Sequence, residues 1–263
     1  MNYGLKDTHF ETPHGLDSDN HYTTAYELAL LSNYAMNNKT FANIVNTKTY
    51  TVTINGSPKN INNTNELLGN LNGVYGIKTG FTNGANRCLV SCCKRGDMDI
   101  ICVVLGADTK NFRTRDSIKL IEYTFKNFDI VNIKSIMENE FLIWKDTNID
   151  GFLIEKGVSN NICIKMGDMK YDNIPLLKDD IPKINIEIEC QKLFVAPLPS
   201  GSIIGSIFFN INDNVVCKCD IVTEEDVKRK NVLDYLFSFF IGKDEGCTLL
   251  SYQIFPYEKN SLS

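Results

Sequence analysis

Three short β-rich runs separated by brief turns constrain the fold of this chain more than any other sequence feature. The runs are Val74 to Thr79, Cys88 to Cys93 and Ile100 to Leu105. Short turns, Thr82-Asn83-Gly84 and Arg95-Gly96-Asp97, join them, and such close spacing favours antiparallel neighbours. The sequence therefore predicts a three-stranded meander.

A helical pattern from about Thr109 to Phe128 follows the third run directly. Its apolar positions recur at i, i+3, i+7 and i+10, which places them on one helical face. They are Ile118, Ile121, Phe125 and Phe128. We expect this face to pack against the meander.

Shorter elements are predicted before the meander. Thr24 to Glu27 is typical of a capping box that opens a helix, and Asn37-Asn38 marks its end. Phe41 to Val45 is compatible with a further helical turn. Tyr50 to Ile54 is rich in β-formers and stops at Asn55-Gly56, a hairpin-type turn.

The pattern changes after Phe128. Short strands and turns without a strong helical period run from Ile130 to Val222, which is typical of a small β-sandwich or barrel. Glu224 to Gly242 then predicts a final helix. The expected fold class is α+β, with a domain of helices and strands at 1–129, an all-β sandwich at 130–223, and a helix and tail at 224–263.

Charge and cysteine usage exclude several classes of function. The formal net charge is -5 and the isoelectric point about 5.3, which gives no electrostatic support for nucleic-acid binding. The nine cysteines include no C-x-x-C pair, so we expect small buried hydrophobes with free thiols and no zinc site.

Met1 to Gly4 shows no signal-peptide pattern, and Val232 to Ile241 falls short of a membrane span.

Gly76-Ile77-Lys78-Thr79-Gly80 carries the most specific chemistry in the sequence. K-T-G on a strand is one of three elements of penicillin-recognising serine enzymes, beside S-x-x-K and S-x-N. An ammonium and a hydroxyl can bind a substrate carboxylate, and Gly80 lets a substrate backbone approach without a Cβ clash. The tripeptide alone also fits a strand end that leads into a turn.

Several ordered segments around this motif resemble the low-molecular-mass penicillin-binding proteins, which are D-alanyl-D-alanine carboxypeptidases. They are Thr8 to Leu16, Tyr22 to Ala29, Asn63 to Leu68, Gly73 to Thr82, Arg87 to Val90, Val103 to Gly106 and Ala196 to Gly205. The resemblance implies a penicillin-binding/β-lactamase-like α/β domain followed by the family's β-domain. One departure is Ala85-Asn86, where the relatives usually have Ala-Gly.

The resemblance also implies roles for individual residues. Lys78 would supply positive charge, Thr79 would bind the substrate carboxylate beside Gly80, and the Phe81 N–H would be an oxyanion-hole donor. Arg113 would help to hold the terminal carboxylate, a task that suits a guanidinium. The alternative for Arg113 is a solvated helix residue.

The serine nucleophile of the family is not found at its expected place, so we expect that this chain starts after that segment and is inactive alone. Ser91 to Lys94 fits S-x-x-K by its letters, but a strand places these side chains on opposite faces. Ser18 to Asn20 fits S-D-N, yet it lies in a loop at the wrong place. The spacing of His9, His14 and His21 does not favour a metal site.

The expected function is serine-type D-Ala-D-Ala carboxypeptidase activity on peptidoglycan stem pentapeptides, with β-lactams as inhibitors of the full-length parent and no cofactor. The alternative is a non-catalytic cell-wall-binding or scaffold module. The family implies a place in the cell envelope, on the outer face of the cytoplasmic membrane or secreted. The final helix, preceded by Lys228 to Lys230, fits either a membrane surface or packing on the β-domain.

Overall fold

The computed structural model describes residues 4–159 and 161–240, and the side chains of 237–240 are not described. The chain divides into two units. The first comprises Met1–Ile136, Tyr171–Asn185 and Asn210–Asn214, and the second comprises Met137–Lys170, Ile186–Phe209 and Val215–Ser263. The predicted three-part division at 129 and 223 stays a prediction.

The elements of both units are numbered along the chain. They are α1 (Ala25–Met36), α2 (Lys39–Val45), β1 (Thr49–Ile54), β2 (Ser57–Asn62), β3 (Val74–Thr82), β4 (Asn86–Arg95), β5 (Met98–Ala107), α3 (Lys110–Asn127), β6 (Phe128–Asn132), α4 (Ile133–Asn148), β7 (Leu153–Glu155), β8 (Ile164–Met166), β9 (Asn173–Leu177), β10 (Ile184–Cys190), β11 (Leu193–Val195), β12 (Ile203–Ile211), β13 (Asn214–Thr223) and α5 (Val232–Phe240). Two short 3-10 helices span Ile149–Gly151 and Ile181–Lys183.

The predicted meander is confirmed as an antiparallel sheet in the order β3-β4-β5. Successive residues of β4 point to opposite faces, and both faces are covered. Leu89 and Cys93 pack with Ile121 of α3, whereas Val90 and Cys92 pack with Ile77 in a second cluster. The helix predicted after the meander is therefore also confirmed, with Ile121 fully buried.

The second cluster lies under α1 and α2. Leu28 and Met36 of α1 and Phe41 and Val45 of α2 pack against it. The predicted helical turn at 41–45 is thus a full helix that begins at Lys39, because the Asn38 side chain caps its first backbone N–H groups. The sheet that carries β3 is held between helices on both faces.

Only one of the two hydrogen bonds of the capping box predicted at Thr24 is present. The Thr24 hydroxyl accepts from the Glu27 N–H at 3.1 Å, as expected. The Glu27 carboxylate accepts instead from the backbone N–H groups of Lys6 and Asp7, at 2.6 and 3.0 Å, and from the Thr8 hydroxyl at 2.6 Å. Glu27 therefore anchors the N-terminal segment to α1.

The hairpin predicted after Tyr50 is confirmed. β1 pairs with β2 in antiparallel register, and Ile54 lies opposite Ser57. Asn55 and Gly56 have φ angles of 48° and 77°. Positive φ at both central residues is what a type I′ hairpin turn requires, and Asn and Gly supply it at the lowest cost.

The second unit holds a four-stranded sheet in the order β10-β12-β13-β8 and a parallel pair of β7 and β11. The prediction that no helix lies between 130 and 222 is wrong, because α4 occupies Ile133–Asn148. Ile133, Met137 and Phe141 are buried at intervals of four residues, which is the helical spacing that the strand interpretation overlooked.

The final helix begins later than predicted, at Val232 instead of Glu224. Val227 is buried, and its backbone pairs with Leu198 in an isolated bridge, so this part of the apolar pattern belongs to extended chain. The Asn231 side chain caps the helix by accepting from the Asp234 N–H at 2.9 Å. Gly242 and the tail to residue 263 lie outside the described residues.

No helix in the described part of the chain combines the length and the apolar character that a membrane span needs. The described cysteines are free thiols, and Cys247 lies outside the described residues. Cys92, Cys93 and Cys102 are buried in the sheet, as expected for small hydrophobic side chains.

Candidate functional site

The second half of β3 borders an open groove of about 780 Å³ in the first unit. One wall is the K-T-G strand with the turn that follows it, and the other is the loop that precedes α1. The loop contributes Phe10, His14, Asp17, His21 and Tyr22 to the lining. Lys78, Thr79, Gly80 and Phe81 all line the groove, so the structure brings these four predicted site residues together.

Burial along β3 changes abruptly within the motif. Gly76 and Ile77 are buried, whereas Lys78 and Gly80 are exposed. The Lys78 ammonium donates to the Thr79 carbonyl oxygen at 2.6 Å. A Cβ at Gly80 would meet only the Cys88 Cβ, at an ordinary contact distance of 3.6 Å. Packing within the chain therefore does not require a glycine there.

The Thr79 hydroxyl lies 2.6 Å from the hydroxyl of Thr64, in the segment between β2 and β3. Thr79 is partly buried, and Thr64 is exposed. No local sequence signal indicates this pair, because the two residues are 15 positions apart and Thr64 belongs to no catalytic motif.

Phe81 presents a ring that is 53% exposed. Arg87, which faces Phe81 across the β3–β4 pair, places its guanidinium carbon 3.6 Å from the ring centroid. That geometry is a close cation–π contact. The predicted oxyanion donor, the Phe81 N–H, is thus carried by a residue whose side chain is held by its cross-strand neighbour.

The β3–β4 turn is tied to the opposite wall of the groove. The Asp17 carboxylate accepts from the Gly84 N–H at 3.0 Å. Hydrogen bonds from the Thr82 hydroxyl and from this N–H hold the pKa of Asp17 below its ordinary value. Asn86, at the position of the family's glycine, has a φ of 55°, a left-handed conformation that Asn tolerates better than most residues. The turn is therefore kept.

Arg113 lies away from this groove. Its side chain is 4% exposed, and one guanidinium nitrogen donates to both carboxylate oxygens of Glu66, at 2.6 and 2.7 Å. The Thr114 hydroxyl also donates to Glu66. The alternative of a solvated helix residue is wrong for Arg113, and its role in holding a substrate carboxylate stays a prediction.

Glu66 was not identified from the sequence as a partner of Arg113, because 47 positions separate the two residues. Burial favours the neutral form of the Glu66 carboxyl group, but the hydrogen bonds from Thr114 and Arg113 outweigh it. Together they hold the pKa of Glu66 below its ordinary value.

The residues set aside as catalytic look-alikes lie in different surroundings. Ser91 is fully buried in β4. Ser18 and Asn20 are exposed and donate to the carboxylate of Glu11, the latter at 3.3 Å. The Ser91 hydroxyl has no hydrogen-bond partner among the described residues, and the Ser18 hydroxyl donates to a carboxylate. That neither serine is catalytic stays a prediction.

The histidines take part in loop hydrogen bonds. The Nδ1 atoms of His14 and His21 accept from the backbone N–H groups of Leu16 and Glu11, each at 3.2 Å. Within residues 4–159 and 161–240, no group of three His, Cys, Asp or Glu residues is arranged to hold a metal ion. Both histidines nevertheless line the groove, a position that the sequence had not indicated.

Two family models match the chain. Residues 1–109 match the D-alanyl-D-alanine carboxypeptidase family, and residues 170–229 match the C-terminal domain of penicillin-binding protein 5. The first match contains the whole groove, and the second contains β9 to β13.

Similar proteins and structures agree with these matches. D-alanyl-D-alanine carboxypeptidase DacD of Escherichia coli is 31% identical over 242 residues, which are 91% of this chain and 58% of the relative. DacF of Bacillus subtilis is 25% identical over 234 residues, which are 89% of this chain and 58% of the relative. The crystal structure of penicillin binding protein 5 from Haemophilus influenzae is 26% identical with a TM-score of 0.65, covering 87% of this chain and 63% of that structure. The chain thus spans less than two thirds of the length of these relatives.

Proposed function

Because the chain belongs to the D-alanyl-D-alanine carboxypeptidase family of low-molecular-mass penicillin-binding proteins, we propose that it forms the substrate-holding part of an enzyme that removes the terminal D-alanine from peptidoglycan stem pentapeptides. The observation that carries the proposal is the groove along β3, where Lys78, Thr79, Gly80 and Phe81 lie together. In the full-length enzyme, acyl transfer to a serine would release D-alanine.

The groove suits an extended peptide because β3 is an edge strand. Within the described residues it pairs with β4 on one side only, so its other edge is open to a peptide strand. Backbone hydrogen bonds along such an edge give affinity that does not depend on side chains. The bare Cα of Gly80 allows the peptide to come close at that point.

The carboxyl end of the peptide would then meet Lys78 and Thr79. The Lys78 ammonium supplies positive charge, and the Thr79 hydroxyl donates a hydrogen bond to the carboxylate. The Phe81 N–H would stabilise the oxyanion of the tetrahedral intermediate, a contribution of about 3 kcal/mol in such sites. The roles of Lys78 and Thr79 require a free carboxylate at the end of the peptide.

We propose that these 263 residues alone bind the peptide without hydrolysing it. Their one S-x-x-K sequence is Ser91 to Lys94, and Ser91 is fully buried in a strand. In the full-length protein, the same groove would hold β-lactams for acylation of its serine.

We also propose a place in the cell envelope, at the outer face of the cytoplasmic membrane. In α5, the apolar side chains of Val232, Leu233 and Leu236 are 76%, 62% and 48% exposed. An apolar face of this kind, preceded by Lys228 to Lys230, fits an amphipathic helix on a lipid surface.

Peptide binding to the 263-residue chain tests the proposal. Diacetyl-L-Lys-D-Ala-D-Ala would be titrated in an NMR experiment, with the L-Ala-L-Ala diastereomer as the control ligand and Thr79→Val as the control variant. We expect saturable binding of the D,D peptide, weaker binding of the L,L peptide, and about tenfold weaker binding to the variant, as for one lost hydrogen bond to a charged group. Equal shifts for both peptides, or an unaffected variant, would contradict the proposal.

A further inference from the structure

We propose that Thr64 is a positioning residue that orients the Thr79 hydroxyl toward the carboxylate of the bound peptide, an inference that rests on the proposed function. The observation behind it is the contact of 2.6 Å between the two hydroxyl oxygens. Thr79 comes from β3, whereas Thr64 reaches it from the segment before that strand.

The direction of this hydrogen bond decides what Thr79 can do. Each hydroxyl carries a single proton, so one member of the pair donates and the other accepts. When Thr64 donates, the Thr79 proton stays available for the carboxylate, and the chain of two hydrogen bonds strengthens the second one. An anion at the groove favours this arrangement, because it accepts from Thr79 and cannot donate.

The segment that carries Thr64 is fixed by the asparagines on either side of it. Asn63 donates from its side chain to the carbonyl oxygens of Val45 and Thr47, each at 3.1 Å. Its side-chain oxygen accepts from the Asn65 N–H at 2.9 Å. These bonds join the segment before β3 to the segment between α2 and β1.

Asn65 holds the other end of the segment on β3 itself. It is 2% exposed, and its side chain donates to the Gly76 carbonyl oxygen at 2.9 Å. Its side-chain oxygen accepts from the Leu67 N–H at 3.1 Å. A buried amide whose nitrogen and oxygen both have partners holds its backbone in place, so Thr64 meets Thr79 with little freedom to move.

Thr64 is an exposed residue, which separates a role in binding from a role in folding. Replacing an exposed hydroxyl by a methyl group of the same shape should leave the thermal midpoint nearly unchanged. A loss of affinity in that variant would then report the orientation of Thr79.

The test uses the 263-residue chain with Thr64→Val, Thr64→Ser and Thr79→Val. Each variant is titrated in NMR with diacetyl-L-Lys-D-Ala-D-Ala and with the same peptide capped as a C-terminal amide. We expect Thr64→Val to bind the carboxylate peptide about fivefold to tenfold more weakly than wild type does, as for a lost hydrogen bond. The variant and wild type should bind the amide peptide with equal affinity. Thr64→Ser restores the hydroxyl and should restore the affinity.

The remaining outcomes separate this inference from the function on which it rests. If Thr79→Val loses affinity and Thr64→Val does not, the positioning role is refuted and the proposed function stands. If Thr64→Val weakens both peptides equally, its effect is only structural and the inference fails. If the wild-type chain does not distinguish carboxylate from amide, the proposed function fails and the inference fails with it.

Discussion

Replacing Glu66 by alanine should destabilise the first unit, because it removes the partner of a buried guanidinium. The Arg113 side chain is 4% exposed, and the Glu66 side chain is 24% exposed. The Nε atom of Arg113 already has no hydrogen-bond partner among the described residues. Without Glu66, a positive charge would remain buried with no carboxylate to neutralise it.

The size of the effect follows from this asymmetric burial. Breaking a fully buried pair by removing one partner costs about 3–5 kcal/mol, and partial exposure of Glu66 reduces this to about 2–3 kcal/mol. Such a loss corresponds to amide hydrogen exchange that is roughly 30- to 140-fold faster wherever exchange requires unfolding of the unit.

Native-state hydrogen exchange at Leu89 and Ile121 measures this stability, because both residues lie in the core of the first unit. Trp144, the one tryptophan of the sequence, lies in the second unit, and its fluorescence provides an internal control. Arg113→Met is the matched variant. It should cost less than Glu66→Ala, because the remaining carboxylate can reach water and the methionine is apolar.

Acidity supplies a second readout for the same pair. The pKa of Glu66 is held below its ordinary value, so its ionised form stabilises the fold above the unfolded pKa of about 4.3. This stabilisation is lost as the pH falls through the lower folded pKa. The difference in free energy of unfolding between wild type and Glu66→Ala should therefore become smaller in that pH range. A change in exchange below threefold at neutral pH, or Arg113→Met as the more damaging variant, would refute the reasoning.

Three further predictions follow from single residues. In native protein, a thiol reagent should label the exposed Cys163 but not Cys92, whose pKa burial raises to about 12; mass spectrometry after digestion would decide, and early labelling of Cys92 would contradict its burial. The pKa of the Asp17 carboxyl group, measured by NMR titration, should lie below its ordinary value, and Thr82→Val should move it upward by removing a hydrogen bond to the carboxylate. Thr24→Ala should cost about 1 kcal/mol in urea denaturation through the lost helix cap, and Thr24→Ser should cost less.

The sequence predicted the elements of the first unit well because their signals are local. The β4 segment is a short apolar run bounded by turns, and the α3 pattern repeats at helical spacing, so each element could be inferred from neighbours in the chain. The Asn55-Gly56 turn needs only the conformational preferences of two residues. Physical rules of short range therefore suffice for the meander and the helix behind it.

The errors arose where a local pattern fits two structures. Val227 fits the apolar positions predicted for the final helix, yet its backbone bonds to Leu198 and forms extended chain. In α4, the buried residues Ile133 and Met137 stand among polar ones, and a reading based on short strands missed their spacing. A tertiary partner that the local sequence does not contain decided the first case, whereas the helical spacing of α4 is present in the local sequence.

The site was predictable only in part for the same reason. Lys78, Thr79 and Gly80 belong to one motif, which predicts a strand edge but does not predict which other residues contact it. Thr64 and Glu66 act across 15 and 47 positions of sequence, respectively, through contacts that exist only after folding. Under the proposed function, the motif identifies the groups that would touch a ligand, and the fold supplies partners that the motif does not contain.

The burial pattern of β3 explains how one strand can both pack in the core and present side chains at the groove. Val74 lies in the core cluster that includes Ile121, and Ile77 lies in the cluster beneath α1 and α2, so both faces of the sheet fix the first half of the strand. The chain leaves the core at Lys78, where the exposed half begins. Because a strand transmits the position of one residue to the next with little freedom, the core sets where Lys78 and Thr79 stand at the groove.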